Sequence, residues 1–348
     1  MPTFAYYGYY GCCSPFNNRW YSLFNASNAS HLWLKDDTGR AVQLGRGGPR
    51  GSTVSYVYDL CSSGMLEFYK DTILQAFMEA PGVHGVFLDE VDSFVEGGGG
   101  NVPFHANPPP GTAPYVFSAA RKANITLCWM DAMQEIVRHI ALSGKFAIPS
   151  TNAYPSQYTT FYRRQRDALV AYGGFKFFES FCQVGGGWVC PLHPTRAACC
   201  LDQLAALMDH ADRGVPTMVT IAIDPTTGDA SALGLGAFLI GAQKWSYVAV
   251  GRGWNGPSSF PVVRAYGRKL GAPKGHAVEV EKGVFRRSFQ FLDVVVNVTA
   301  GVSEFRWHGN GDERPWSSSP SPPLPQQWKW RGMTFTGGKY VMFATCYD

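Results

Sequence analysis

The chain contains 348 residues, of which 45% are hydrophobic, and its 30 Lys and Arg against 26 Asp and Glu give a net charge of +4. This length accommodates one large domain or two smaller ones, with enough apolar residues for a packed core. The basic residues are not clustered, which argues against nucleic-acid binding, and no apolar run approaches the roughly 18 residues that span a bilayer. We therefore expect neither a nucleic-acid partner nor a membrane span.

Cysteines and glycosylation sequons indicate an oxidising compartment. There are nine cysteines, and their spacing matches no zinc site. Cys182 and Cys190 flank a glycine-rich stretch, so a disulfide between them would close a loop. Four N-x-S/T sequons occur, at Asn25, Asn28, Asn124 and Asn297. We expect an extracellular or secretory-pathway location, although the first residues show no signal peptide.

Short apolar strands alternate with amphipathic helices along most of the chain. The predicted strands cover residues 4–10, 83–89, 145–150, 175–181, 216–224 and 245–250. The predicted helices cover residues 62–80, 126–143, 157–172, 195–213, 231–244 and 261–270. Strands that alternate with helices predict βαβ units and a parallel sheet, and continuously apolar strands indicate burial on both faces.

A TIM-type (β/α)8 barrel fits this α/β pattern best. A dinucleotide-binding sheet needs G-x-G-x-x-G directly after its first strand, and the glycines here do not follow that pattern. If residues 245–250 form the eighth barrel strand, residues 83–89 form the fourth and residues 4–10 the third, so the barrel lacks its first one or two strands. Residues 55–59 supply at most one extra strand. Either the sequence is incomplete, or the barrel is open or is completed by a partner chain.

The pattern changes after residue 275. Residues 277–291, 294–299 and 334–344 alternate between apolar and polar, with Gly283 and Gly301 as turns. This alternation predicts a small antiparallel β domain. We therefore expect a barrel domain of the catalytic type over residues 1–274 and a C-terminal β-sandwich-like domain over residues 275–348.

Three acidic residues lie at or near the ends of predicted strands. Asp89 ends the strand 83–89, Glu179 lies in the strand 175–181, and Asp224 ends the strand 216–224. In barrel enzymes the catalytic groups lie at the carboxyl ends of the strands. Two carboxylates that face each other there can hydrolyse a glycosidic bond, one ionised and one protonated. Alternatively, such residues cap the following helices or hold loops.

Neighbouring residues favour a sugar site. Phe177, Phe178 and Phe181 would raise the proton affinity of Glu179 and suit it to the acid role. Further polar residues expected to shape the sugar site are Glu90, Asp92 and Asn152, together with Asp224. Aromatic residues expected to stack on sugar rings are Tyr7, Tyr9, Trp188 and Trp254. No phosphate-binding loop, nucleophile elbow or EF-hand spacing occurs, so we expect neither a cofactor nor a metal.

Several segments in order resemble glycoside-hydrolase families that have a (β/α)8 barrel. They are HLWLKDDTGRAV (31–42), YVYDLCSSGMLEFYKDTI (56–73), GVHGVFLDEVDSF (82–94), YGRKLGAP (266–273) and VFRRSFQFLDVVVNVT (284–299). The families show W-x-x-D-x-x-G, then Y-x-x-D, then DGVFLD at the fourth strand, where this chain has His84-Gly85 in place of Asp-Gly. The resemblance implies Asp89 as the nucleophile and Glu179 as the acid/base.

Two functions are compatible with the sequence. The first is a glycoside hydrolase that acts on an oligo- or polysaccharide through Asp89 and Glu179. The second is a catalytically inactive relative that acts as a carbohydrate-binding or structural extracellular glycoprotein, which the missing strands and the odd cysteine count favour. Both take a carbohydrate as ligand.

Overall fold

The computed structural model describes residues 3–8, 26–44, 55–89, 91, 112–150, 159–183, 193–224, 226–251, 270–308, 327–330, 333–336 and 344–345. These residues form two compact units, one ending at Gly174 and the other beginning at Phe175, which are described separately. Both units combine parallel strands with helices, and the second also contains an antiparallel sheet. The chain is therefore a mixed α/β protein.

The first unit is built on a three-stranded parallel sheet. The strands of the whole unit, in chain order, are β1 (Thr3–Gly8), β2 (Gln43–Leu44), β3 (Ser55–Tyr56), β4 (Val83–Asp89) and β5 (Phe146–Pro149). Strand β4 lies between β1 and β5 and is parallel to both, whereas β2 and β3 form a separate antiparallel pair. The segment 55–59 therefore adds no strand to the parallel sheet.

The helices of the first unit largely follow the predicted ones. They are a 3-10 helix (Ser27–Leu32), α1 (Ser63–Phe68), a π-helical segment (Tyr69–Leu74), α2 (Gln75–Glu79), α3 (Ala119–Leu142) and α4 (Thr159–Tyr172). Helix α3 begins well before residue 126, because Ser118 caps it by accepting a hydrogen bond from the Arg121 amide. The first buried side chain of α3 is Ile125, so its apolar pattern starts later than the helix itself.

The second unit contains helices α5 (Arg196–Asp212) and α6 (Ala232–Gly241). Its strands are β6 (Lys176–Phe178), β7 (Thr217–Ala222), β8 (Ser246–Gly251), β9 (Val278–Glu281), β10 (Val284–Ser288), β11 (Leu292–Asn297), β12 (Val302–Trp307), β13 (Gln327–Trp330), β14 (Met333–Thr336) and β15 (Ala344–Thr345). Strands β6, β7 and β8 are parallel neighbours, and β15 pairs antiparallel with the other edge of β8. That is the edge at which a closed barrel would place its first strand.

The six predicted strands are confirmed as β1 and β4 to β8, in two parallel groups of three. Strands β5, β6 and β7 are shorter than predicted, and the difference matters most for β6, which ends at Phe178, so Glu179 follows the strand instead of lying in it. Ser180 and Cys182 have φ angles of 52° and 48°, a left-handed conformation that a β-strand does not accommodate. The helix predicted over residues 261–270 lies almost wholly outside the described residues.

The antiparallel sheet predicted after residue 275 is confirmed. Its strand order is β12-β11-β10-β9, and in β11 buried and half-buried residues alternate, as expected of a strand with one face against a core. Gly283 and Gly301 have φ angles of +76° and +72°, which explains glycine at both turns. The buried face packs against α6, where Gly236 has no room for a side chain because a Cβ atom would collide with Ser303.

Two disulfides join described cysteines. Cys61 pairs with Cys128, which ties the segment before α1 to α3. Cys182 pairs with Cys200 on α5, and therefore not with Cys190, a pairing that the sequence allowed but did not determine. Helix α5 brings Cys200 to Cys182 in space, which the spacing of cysteines along the chain does not show. Cys199 is also disulfide-bonded.

Arg287 of β10 joins the antiparallel sheet to α6. Its side chain is almost fully buried, at 2% exposure. One guanidinium nitrogen, Nη1, donates to the carbonyl oxygens of Leu239 and Ile240 at 3.0 and 3.2 Å and also to that of Ala242. Leu239 and Ile240 belong to the last turn of α6 and Ala242 directly follows it, where no further helical amide is available to bond these carbonyls. Arg287 therefore caps the helix from the neighbouring sheet.

We predict that Arg287→Met lowers the free energy of unfolding by about 3 kcal/mol, because it leaves buried carbonyls without a donor. The matched control is Arg286→Met on the same strand, since the Arg286 side chain is 56% exposed and lies 3.9 Å from Asp293. A surface pair of this kind contributes about 1 kcal/mol or less. Urea unfolding of both variants measures the difference, and equal losses would contradict the capping role.

Candidate active site

The carboxyl end of β4 carries Asp89 as its last residue. The backbone of Asp89 pairs with Gly8 of β1, and Tyr7 of β1 pairs with Leu88. The side chains of Asp89 and Tyr7 are not among the described parts of the chain. The other predicted site residues that lie outside the described residues are Glu90, Asp92, Tyr9, Asn152, Trp188 and Trp254.

Glu179 begins a tight turn directly after β6 and is half-buried. The amide of Ser180 donates to the Thr220 hydroxyl at 3.0 Å, and the amide of Phe181 donates to the Thr220 carbonyl at 2.7 Å. The amide of Cys182 donates to the Gln203 side chain at 2.7 Å. Three consecutive amides are therefore fixed by β7 and α5, which holds the backbone beside Glu179 in one conformation.

The disulfide between Cys182 and Cys200 constrains the same turn from α5. Left-handed conformations at residues other than glycine are unfavourable by about 1–3 kcal/mol and occur where the surroundings impose them, often at functional sites. Sequence reasoning missed the supporting residues Thr220 and Gln203, because their contacts with the turn are tertiary and follow no local motif.

Three phenylalanines flank Glu179 and Ser180 in the chain. Phe177, Phe178 and Phe181 are all buried, and the rings of Phe178 and Phe181 meet edge to face with centroids 5.8 Å apart. The raised proton affinity expected for Glu179 stays a prediction.

Asp224 lies two residues beyond the end of β7, on the loop that leads to α6. Its Oδ1 atom accepts a hydrogen bond from the Thr226 amide at 2.8 Å. The hydrogen bond from the backbone of Thr226 is the main reason that the pKa of Asp224 is lowered from its usual value. The Asp224 carboxylate thus supports its own loop, which was the alternative role considered for strand-end acids.

Asp36, the acid of the W-x-x-D-x-x-G segment, has a structural role. Its Oδ1 atom accepts hydrogen bonds from the amide and hydroxyl of Thr38 and from the amide of Arg40, at 2.6–3.0 Å. Its Oδ2 atom accepts from the Val116 amide at 3.2 Å. Gly39 has a φ of +83°, as the tight turn requires. This part of the motif therefore fixes a loop.

Asp59, the acid of the Y-x-x-D segment, differs from Asp36 in its environment. Burial raises the pKa of Asp59, although the Cys61 amide and the charges of Arg121 and Lys35 oppose the shift. A partly buried carboxyl with a raised pKa is a frequent feature of functional sites. Sequence reasoning assigned Asp59 no role, and the motif was its only signal.

Among the described residues, no three His, Cys, Asp or Glu side chains are grouped so as to hold a metal ion. Within the same part of the chain, none of the helices combines the length and apolarity that crossing a bilayer requires.

No protein-family model and no curated protein matches this sequence. The chain is similar to the glycoside hydrolase domain of PelA from Pseudomonas aeruginosa, at 13% identity and a TM-score of 0.41, over 71% of this chain and 78% of that one. A single-substitution variant of that domain matches at 16% identity and a TM-score of 0.37, over 72% and 78% of the two chains. A quadruple mutant of NagBb, an alpha-N-acetylgalactosaminidase from Bifidobacterium bifidum, matches at 9% identity and a TM-score of 0.39, over 86% of this chain and 41% of that one.

The buried carboxylate of Asp36 makes stability depend on pH. Burial alone would raise the pKa of Asp36, but the hydrogen bonds from Thr38, Val116 and Arg40 together hold it below the usual value of 3.8. A carboxyl with a lowered pKa in the folded state stabilises the fold above its unfolded pKa, and this contribution is lost as the pH falls through the lowered value.

We predict that Asp36→Asn lowers the free energy of unfolding by about 2 kcal/mol at neutral pH. The difference from the native protein shrinks as the pH falls below 3.8, because Asp36 itself then becomes protonated. Urea unfolding at a series of pH values measures the difference. Asp167→Asn is the control, since the Asp167 side chain is 60% exposed and pairs with the neighbouring Arg166. A difference that did not vary with pH would contradict the assignment.

Proposed function

We propose that the chain is a glycoside hydrolase that uses Asp89 and Glu179 as its catalytic carboxylates. The observation that carries this proposal is that Asp89 is the last residue of β4 and Glu179 directly follows β6, both in parallel-strand layers. In α/β barrel enzymes, this end of the strands bears the catalytic groups. The sequence resemblance to barrel glycoside hydrolases assigns the same two residues.

The proposed architecture is a (β/α)8-type barrel over residues 1–274 and a C-terminal β domain over residues 275–348. The disulfides of Cys61 with Cys128 and of Cys182 with Cys200 support an extracellular or secretory-pathway location, because such bonds persist in oxidising compartments.

In the proposed mechanism, Glu179 gives its proton to the leaving oxygen while Asp89 attacks the anomeric carbon or activates water. The apolar neighbours of Glu179 favour its neutral form, and the rigid turn after β6 holds it in place. Polar side chains proposed to shape the sugar site are Glu90, Asp92, Asn152 and Asp224. Rings proposed to stack on the sugar are those of Tyr7, Tyr9, Trp188 and Trp254.

We predict that Asp89→Asn and Glu179→Gln each lower kcat by about a hundredfold to ten-thousandfold on a glycan that the native protein hydrolyses. Glu179→Gln should also remove the alkaline limb of the pH profile, because that limb reports loss of the acid's proton. Reducing-end release from a panel of polysaccharides measures the activity.

Matched controls are Asp131→Asn and Glu67→Gln, which change exposed residues on helices of the first unit. The assignment is wrong if the double variant Asp89→Asn, Glu179→Gln keeps native turnover. If the native protein binds oligosaccharides but releases no product, the chain is instead a catalytically inactive carbohydrate-binding protein.

A further inference from the structure

A cleft of about 540 Å³ lies at the amino ends of β7 and β8 in the second unit. Its walls come from the end of α5, the turn that leads into β8 and the segment before β9. The polar and aromatic residues that line it are Asp212, Gln243, Lys244, Trp245, Ser246 and His276. Small-molecule sites typically have volumes of about 300–1,000 Å³, so the cleft has the size of a ligand site.

This cleft is separate from the candidate active-site residues of the same unit. Glu179 and Asp224 follow the carboxyl ends of β6 and β7, whereas the cleft lies at the amino ends of β7 and β8. Phe178, the residue before Glu179, pairs with Val219 in the middle of β7, so Glu179 lies roughly 10 Å along the strand from Thr217. Neither Glu179 nor Asp224 is among the residues that line the cleft.

The floor of the cleft is a fixed hydrogen-bonded corner. The Ser246 hydroxyl accepts from the Thr217 hydroxyl at 2.8 Å and from the Gln243 amide at 3.0 Å, and both hydroxyl residues are buried. The Thr217 amide donates to the Trp245 carbonyl at 2.9 Å. These bonds tie the turn that carries Gln243 and Trp245 to the neighbouring strand, so the cleft is formed before any ligand binds.

The side chains around the cleft offer both signs of charge beside an aromatic ring. The Gln243 side-chain nitrogen lies 3.4 Å from the Asp212 carboxylate, and the Lys244 ammonium lies 5.1 Å from the centroid of the Trp245 ring. A simple anion would pair with Lys244 but be repelled by Asp212. A simple cation would pair with Asp212 but be repelled by Lys244. A purely apolar ligand would remove water from both charges without replacing its hydrogen bonds.

Sugar hydroxyls resolve this conflict, because each one both donates and accepts. A row of hydroxyls can donate to Asp212 and accept from Gln243 and Lys244, while the apolar face of a pyranose ring packs on Trp245. We infer that this cleft is a second carbohydrate-binding site, which takes a pyranose unit of a glycan at the end of the sheet opposite Glu179. The choice of a glycan rests in part on the proposed function.

The test measures binding of cellotetraose, maltotetraose, mannotetraose and chitotetraose by isothermal titration. The protein carries Asp89→Asn and Glu179→Gln to prevent hydrolysis, with its fold checked by circular dichroism. At least one tetrasaccharide should bind, and adding Asp212→Ala should weaken that binding about tenfold, the loss expected for one charged hydrogen bond. Trp245→Ala should weaken it similarly. Arg213→Ala is the matched control, since Arg213 is the exposed neighbour of Asp212 and pairs with Asp209, and it should leave the Kd unchanged.

The inference is overturned if no tetrasaccharide binds, or if Asp212→Ala and Trp245→Ala leave the Kd unchanged. If only the proposed function is wrong, the result is different. Tetrasaccharide binding then still depends on Asp212, but the native chain hydrolyses no glycan.

Discussion

The guanidinium of Arg287 lies where α6 ends, and the packing of the second unit depends on this contact. Helix α6 is apolar around most of its surface and lies between β7 and the antiparallel sheet, so its last carbonyls have little access to water. A side chain from β10 satisfies them, and Gly236 lets the sheet approach the helix closely. Because α6 also packs on β7, the antiparallel sheet indirectly supports the strand that anchors the turn after β6.

Local pattern was sufficient for most elements of this fold. The apolar run from Val83 to Asp89 is a strand of those bounds, and the alternation around Val294 and Val296 marks a sheet with one buried face. The prediction was wrong where tertiary contacts decide the backbone. Residues 175–181 are apolar apart from Lys176, Glu179 and Ser180, a pattern that predicts a strand over the whole segment. The strand nevertheless ends early, because Thr220 and Gln203 accept hydrogen bonds from the amides that follow it in a left-handed turn.

Part of the candidate site could be predicted from the sequence, again because local patterning locates the strands. Strand ends can be located from hydrophobic patterning, so Asp89 and Glu179 could be selected as acids at those ends. Patterning does not say which acids also hold their own loops. Asp36 and Asp224 both accept amide hydrogen bonds from their own turns, and short motifs contain such structural acids as well as chemical ones. The disulfide partners could not be predicted from the sequence either, because Cys200 contacts Cys182 only through the packing of α5.

Strand β7 contacts both the turn that follows β6 and the floor of the cleft. Thr220, the fourth residue of the strand, accepts from the turn that follows Glu179, and Thr217, its first residue, donates to Ser246 in the floor of the cleft. The strand is paired on both sides, by β6 and β8, so its length and register cannot change without breaking backbone hydrogen bonds. Binding in the cleft therefore cannot readily alter the geometry at Glu179. If both sites act on the same polymer, the cleft contributes by keeping the glycan at a high local concentration, and the coupling between the sites depends on the length of the glycan that links them.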